Sequence, residues 1–229
     1  MTIIAAGLVG AASVAPAETQ NITFTDTNSG EAILSDSVFV TSGDLTLSNA
    51  SLTVNPTTWS DGDTNGGILR PVGAATEFLP NVRIDGASSN SWALTFTLTN
   101  TSAVGLTVNS LGLSGLTARA LDGTYQGSSR TISFTLTSGD VTLATNQRVA
   151  LADSTSTGNH STTLDFSSNA LTLGANESVQ LTLTASNSNA NTLVGLSGMS
   201  VGYASVPEPA TATLSLLALA GLCARRRRK

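Results

Sequence analysis

The chain contains no lysine before its last residue. Ten basic residues occur in 229 positions, and five of them form the closing run Arg225 to Lys229. Between Glu18 and Val206, fourteen acids stand against five arginines, which makes the body strongly negative. Phosphate backbones are bound through clustered Lys and Arg that release counterions, so this charge balance argues against nucleic acid as a partner.

Cysteine is nearly absent too. Cys223 stands alone, so no intramolecular disulfide can form and disulfides carry no information about compartment. It lies in a terminal apolar run, where it reads as a small apolar residue, with lipidation as the other reading. The one histidine, His160, sits in the turn-like stretch Thr-Gly-Asn-His-Ser, and no spacing pairs it with a nucleophile and an orienting carboxylate. It reads as a solvated loop residue. The chain is therefore expected to be non-enzymatic, with a secreted hydrolase as the weakest alternative.

Aromatic residues make up 4% and charged residues 11%. A core with so few rings has to be filled by Leu, Val, Ile and the methyls of Thr and Ala. Ser, Thr, Gly and Asn are abundant instead, a composition of pleated strands and tight turns. Within Ser91 to Thr99, Trp92, Leu94, Phe96 and Leu98 alternate with Ser, Ala and Thr. The same period of two runs through Ile132, Phe134 and Leu136, and again through Val179, Leu181 and Leu183. Val141 with Leu143, Leu164 with Phe166, and the set Met199, Val201 and Tyr203 extend it. Earlier strands are expected over Asn21 to Thr27, Ile33 to Thr41 and Asp44 to Val54. Apolar spacing of three and four residues is not sustained anywhere in the body, and no fixed repeat of about 20 to 50 residues is present. These patterns predict an all-β chain: a two-sheet antiparallel β-sandwich of jelly-roll type over residues 18–205.

One loop has the composition of a cation site. Asp61-Gly62-Asp63-Thr64-Asn65-Gly66 places oxygen ligands at alternate positions before a glycine, and Asp61, Asp63 and Asn65 are candidate calcium ligands. Val72 stands where a bidentate Glu would complete such a loop, and Asp or Asn beside glycine also makes a bare turn. Trp59, just before it, is a candidate glycan contact. Trp92, Tyr125 and Tyr203 are the other rings suited to a stacking platform, though Trp92 is in phase with Leu94 and Phe96 and belongs to the core. Together these residues support an alternative function, a lectin-like carbohydrate-binding module assisted by calcium. No other cofactor is implied.

The two ends read as targeting segments. Ile3 to Val14 is a short apolar run followed by Ala15-Pro16-Ala17, the pattern of a signal peptide over residues 1–17 cut by signal peptidase, although no Lys or Arg precedes the run. At the other end, over residues 206–229, Val206-Pro207-Glu208-Pro209 acts as a hinge, because proline lacks an N–H and restrains the residue before it. Ala210 to Ala224 is uncharged. As a helix this segment spans about 22 Å at about 1.5 Å per residue, short against a hydrocarbon core of about 30 Å but tolerable with local thinning. A short C-terminal transmembrane helix is expected there, with Arg225, Arg226, Arg227, Arg228 and Lys229 held on the cytoplasmic side.

A Pro-Glu-Pro box at Pro207, Glu208 and Pro209, a brief apolar helix and a terminal arginine cluster, in that order, resemble the PEP-CTERM sorting signal. The resemblance covers about the last 24 residues. It implies export across the inner membrane of a Gram-negative bacterium, transient retention there, and processing near the box by a transpeptidase-like exosortase. It further implies association with the cell surface or an exopolysaccharide matrix. A membrane anchor that is never cut is the other reading of the tail. The stretches LTFTLTNTSAVGLTVNSLGLSGL and RTISFTLTSGDVTLAT resemble bodies that accompany this tail, a likeness that brings no activity with it.

Overall fold

In a computed structural model of the chain, the structure describes residues 16–24, 39–41, 43–55, 67–72, 75–80, 90–119, 130–151, 161–187, 193–196 and 198–206. The strands are β1 (Glu18–Phe24), β2 (Phe39–Thr41), β3 (Leu45–Asn55), β4 (Gly67–Val72), β5 (Ala75–Pro80), β6 (Asn90–Asn100), β7 (Leu106–Ser114) and β8 (Thr117–Arg119). They continue as β9 (Arg130–Ser138), β10 (Val141–Leu151), β11 (Ser161–Asp165), β12 (Leu171–Leu173), β13 (Ser178–Asn187), β14 (Leu193–Gly195) and β15 (Gly198–Ser205). Among the described residues the one helical piece is a 3-10 turn at Ser167–Asn169, whose start is held by the Ser167 N–H donating to Asp165 Oδ1 at 2.9 Å. That contact holds the Asp165 carboxyl below its usual range.

Two antiparallel sheets form the body. One runs β11-β7-β15-β1-β2, with β12 also on β7, and the other runs β10-β9-β13-β6-β3. Two small ribbons, β8 with β14 and β4 with β5, lie beside them. The alternation read from the sequence sets the inward faces. Leu94, Phe96, Leu98, Ile132, Phe134, Leu136 and Leu183 are fully buried, and they form one core with Ile22, Leu106, Val108, Leu111, Leu113, Val201 and Tyr203 of the other sheet. Trp92 belongs to this core as expected, meeting Phe134 edge to face with ring centroids 6.5 Å apart. Ala185 lies opposite both of them on the intervening strand β13, and its small side chain lets the two rings approach.

The inward phase of β7 slips between Val108 and Leu111. Tyr203 pairs with Val108 while Gly202 pairs with Ser110, so Asn109 is an extra residue in the ladder. The bulge restores the apolar side chains to the core face, and the Asn109 carbonyl accepts the Phe166 N–H at 2.8 Å.

Some expectations shift. The first strand begins three residues early, at Glu18, and is described through Phe24; the second is described over Phe39–Thr41. Val141, expected inside with Leu143, is 59% exposed. It follows directly on the Gly139–Asp140 turn at the start of an edge strand, where its position lies past the end of the core.

The two chain ends of the body lie together. Glu18, at the start of β1, is opposite Tyr203, near the end of β15, and Ser205 is opposite Leu106 at the start of β7. The same end of the sandwich carries the connections at 43–44, 101–105, 139–140 and 174–177, all short and all described.

Candidate functional site

The last strand carries the chain to the edge of the fold. Beyond Ser205, the Val206 N–H still donates to the Gly105 carbonyl at 2.8 Å. Pro207, the first residue of the box, follows immediately in sequence. The box therefore begins one residue beyond the turn that holds Val206.

Asn100 builds that turn. Its side chain is completely buried, and its Nδ2 donates to the carbonyls of Val104 at 2.8 Å, Gly174 at 3.0 Å and Leu173 at 3.1 Å. Oδ1 accepts the Ser102 N–H at 2.9 Å and the Ser102 hydroxyl, whose contact is 2.7 Å. The backbone of Asn100 donates to the Glu177 carbonyl at 2.9 Å and accepts the Asn176 N–H at 3.0 Å. Asn176 sits at φ 62°, where Asn is among the few residues that tolerate a left-handed backbone. Glu177 closes its own turn by accepting the Gly174 N–H at 2.6 Å. One asparagine thus fixes two turns, 101–105 and 174–177, and leaves no polar atom of its side chain unpaired.

Gln20 makes a second tie. This buried residue of β1 reaches across to the other sheet, donating from Nε2 to the Leu45 carbonyl and accepting the Leu45 N–H at 3.0 Å. The approach leaves no room at Gly43, where a Cβ would lie 2.6 Å from Gln20 Oε1, and whose φ of +142° also suits glycine. The adjoining Asp44 carbonyl accepts the Thr101 N–H at 2.7 Å, joining this corner to the exit turn.

Tyr203 marks the rim. Its hydroxyl faces Glu18 Oε2 at 3.2 Å and Asp44 Oδ2 at 3.4 Å, and can donate to either. Desolvation of the buried ring, followed by the two carboxylates, pushes the phenol up to about 12, because an anion there would be poorly solvated and would face two negative charges. Tyr203 is 5% exposed, which removes it from the expected stacking platform. The in-phase set of Met199, Val201 and Tyr203 had already placed it inside.

Pro207, Glu208, Pro209, Arg225, Arg226, Arg227, Arg228, Lys229, Asp61, Asp63, Asn65, Trp59, Tyr125, His160 and Cys223 lie outside the described residues. So does most of the expected signal segment. Among the described residues there is no group of three or more His, Cys, Asp or Glu side chains suited to a metal, and no helix long and apolar enough to cross a membrane. Reading the sequence missed Asn100 and Gln20. The signal for Gln20 was its phase, two residues before the buried Ile22; for Asn100 it was the alternation of β6, which places position 100 inward after Leu98.

Comparison with known proteins adds the tail. No curated protein matches the chain. A solved structure titled "Structure of infectious bursal disease virus Gx strain" aligns at 12% identity and a TM-score of 0.29, covering 83% of this chain and 53% of that one. The chain therefore spans about half that protein's length, and at this score the likeness transfers neither fold nor role. Residues 205–229 match the family model of the PEP-CTERM protein-sorting motif, while the body matches no other family. The match starts at Ser205, so its first two residues, Ser205 and Val206, are both tied into the sandwich, to Leu106 and Gly105. The chain ends in a PEP-CTERM sorting motif, the mark of an exported protein that is processed by an exosortase.

Proposed function

We propose that the chain is a non-enzymatic protein of the cell surface or exopolysaccharide matrix of a Gram-negative bacterium. In this reading residues 1–17 direct export and are removed by signal peptidase, Ala210 to Ala224 hold the tail in the inner membrane as a short helix, and Arg225 to Lys229 fix its orientation. An exosortase then cuts near Pro207, Glu208 and Pro209, and the body goes to the surface.

The observation that carries this is the sorting match over residues 205–229, which begins at the last residue of β15. The body is read as a jelly roll. What supports that is strand order: β1-β15-β7-β11 in one sheet and β6-β13-β9-β10 in the other interleave as two Greek keys, with β2 and β3 added at one edge. A scaffold role is further supported by the outward positions of the second sheet, where Thr95, Thr97, Thr99, Thr182 and Thr184 line up across β6 and β13 and Thr95 meets Thr182 hydroxyl to hydroxyl at 3.0 Å. Hydroxyl-bearing strands of this kind suit a solvated display surface.

The test is mass spectrometry of the mature species from a host that contains the exosortase, together with cell fractionation. The expected species starts near Glu18, lacks the arginine cluster, and is found outside the inner membrane. Replacement of Pro207 and Glu208 should trap the uncut chain in the membrane fraction. A surface species that still ends in Lys229 would overturn the reading.

A further inference from the structure

We propose that the rim of the sandwich around Val206 is a docking surface for the processing enzyme, with the exposed Val104 side chain as its contact point. The inference rests on the sorting function proposed above and adds to it a specific surface of the body.

The argument starts from slack. Val206 is hydrogen-bonded to Gly105, and the box begins at the next residue. Three residues of extended chain reach only about 10 Å, at about 3.3 to 3.6 Å each. An enzyme that cuts peptide takes its substrate extended, gripping main chain and alternate side chains over several residues. A cleft closing over the box in this way cannot avoid the turn that ends in Gly105.

That turn is built to present a side chain. Val104 is 38% exposed, one of two large apolar residues left open among the described residues, and it directly precedes the glycine that holds the tail. Its carbonyl accepts from both Asn100 Nδ2 at 2.8 Å and Ser102 Oγ at 2.9 Å, so its backbone is held from inside the fold. A lone exposed valine is ordinary; this one is rigidly mounted one residue from the point where the substrate segment leaves. The surrounding rim carries Glu18, Asp44 and Glu177, which are acidic. The partner that fits is therefore a membrane enzyme with an apolar socket flanked by basic or neutral residues, not an anionic lipid surface, which the acids would repel.

The test is the rate at which full-length chain is converted to processed chain in cells that contain the exosortase, followed by pulse-chase. Val104→Arg should slow conversion by at least about fivefold, in the range expected for loss of one interface anchor, with the melting temperature of the body unchanged. Val141→Arg, at the second exposed valine among the described residues, on edge strand β10 of the second sheet, should convert at the parental rate. A flexible Gly-Ser spacer of about eight residues between Val206 and Pro207 should restore conversion of Val104→Arg, because the enzyme would then no longer have to meet the rim. Should Val104→Arg fold poorly, Val104→Ser is expected to slow conversion in the same direction. Parental rates for Val104→Arg and Val104→Ser, or a defect that the spacer leaves in place, would overturn the proposal. A parental chain that is never converted would instead overturn the sorting function itself, and this inference with it.

Discussion

The side-chain amide of Gln20 pairs with both backbone groups of Leu45, as a neighbouring strand would. It stands in for a missing rung between β1 and β3, which belong to different sheets, and satisfies the backbone of Leu45 at the first residue of its strand.

Gln20→Ala removes both bonds and leaves a buried N–H and carbonyl at Leu45 to find other partners. The expected loss is about 2 to 4 kcal/mol, summed from two hydrogen bonds and part of the desolvation penalty. Gly43→Ala should destabilise through the same contact, since its new methyl would displace the amide. Urea denaturation checks both, and the double variant should lose clearly less than the sum of the single losses.

Asn100→Ala should cost more, about 3 kcal/mol or above, because the carbonyls of Leu173 and Gly174 and the Ser102 N–H lose a partner at once. The damage should be local first. Hydrogen exchange is expected to quicken in 101–105 and 174–177 before it quickens in β6 or β13.

Tyr203 predicts a pH dependence. Its folded value of about 12 stands above the ordinary 10, so the neutral phenol is favoured by folding. The stability it contributes is complete below about pH 10 and is lost as pH rises through about 12. Equilibrium unfolding between pH 9 and 12 should therefore show a steeper decline for the parent than for Tyr203→Phe, and ultraviolet titration should find one phenol ionising late in the parent only.

Much of this fold was legible because period two is a local signal. Phe96, Phe134 and Val201 each declare their face through their immediate neighbours. Pairing partners are a different matter: nothing near Glu18 says that its neighbour is Tyr203, because that choice is made by closing a sheet across nearly the whole chain. Val141 misled because alternation continues past the point where the core stops. Gln20 was passed over since a polar strand residue normally faces water, and only a backbone opening on the opposite sheet makes it an inward residue. The tail was legible for another reason. A membrane address has to be recognised as linear sequence, so its chemistry lies in order and composition. Asp61, Asp63 and Asn65 were picked out by the spacing of their oxygens and Trp59 as a ring in the polar stretch just before them, and all four lie outside the described residues.

The partnership of β1 with β15 has a consequence for how the sheet is completed. β1 meets β7 only through β15, so its place in the larger part of the sheet depends on the closing strand. The final segment is thus the clasp of this sheet, and it gathers both ends of the body at one rim.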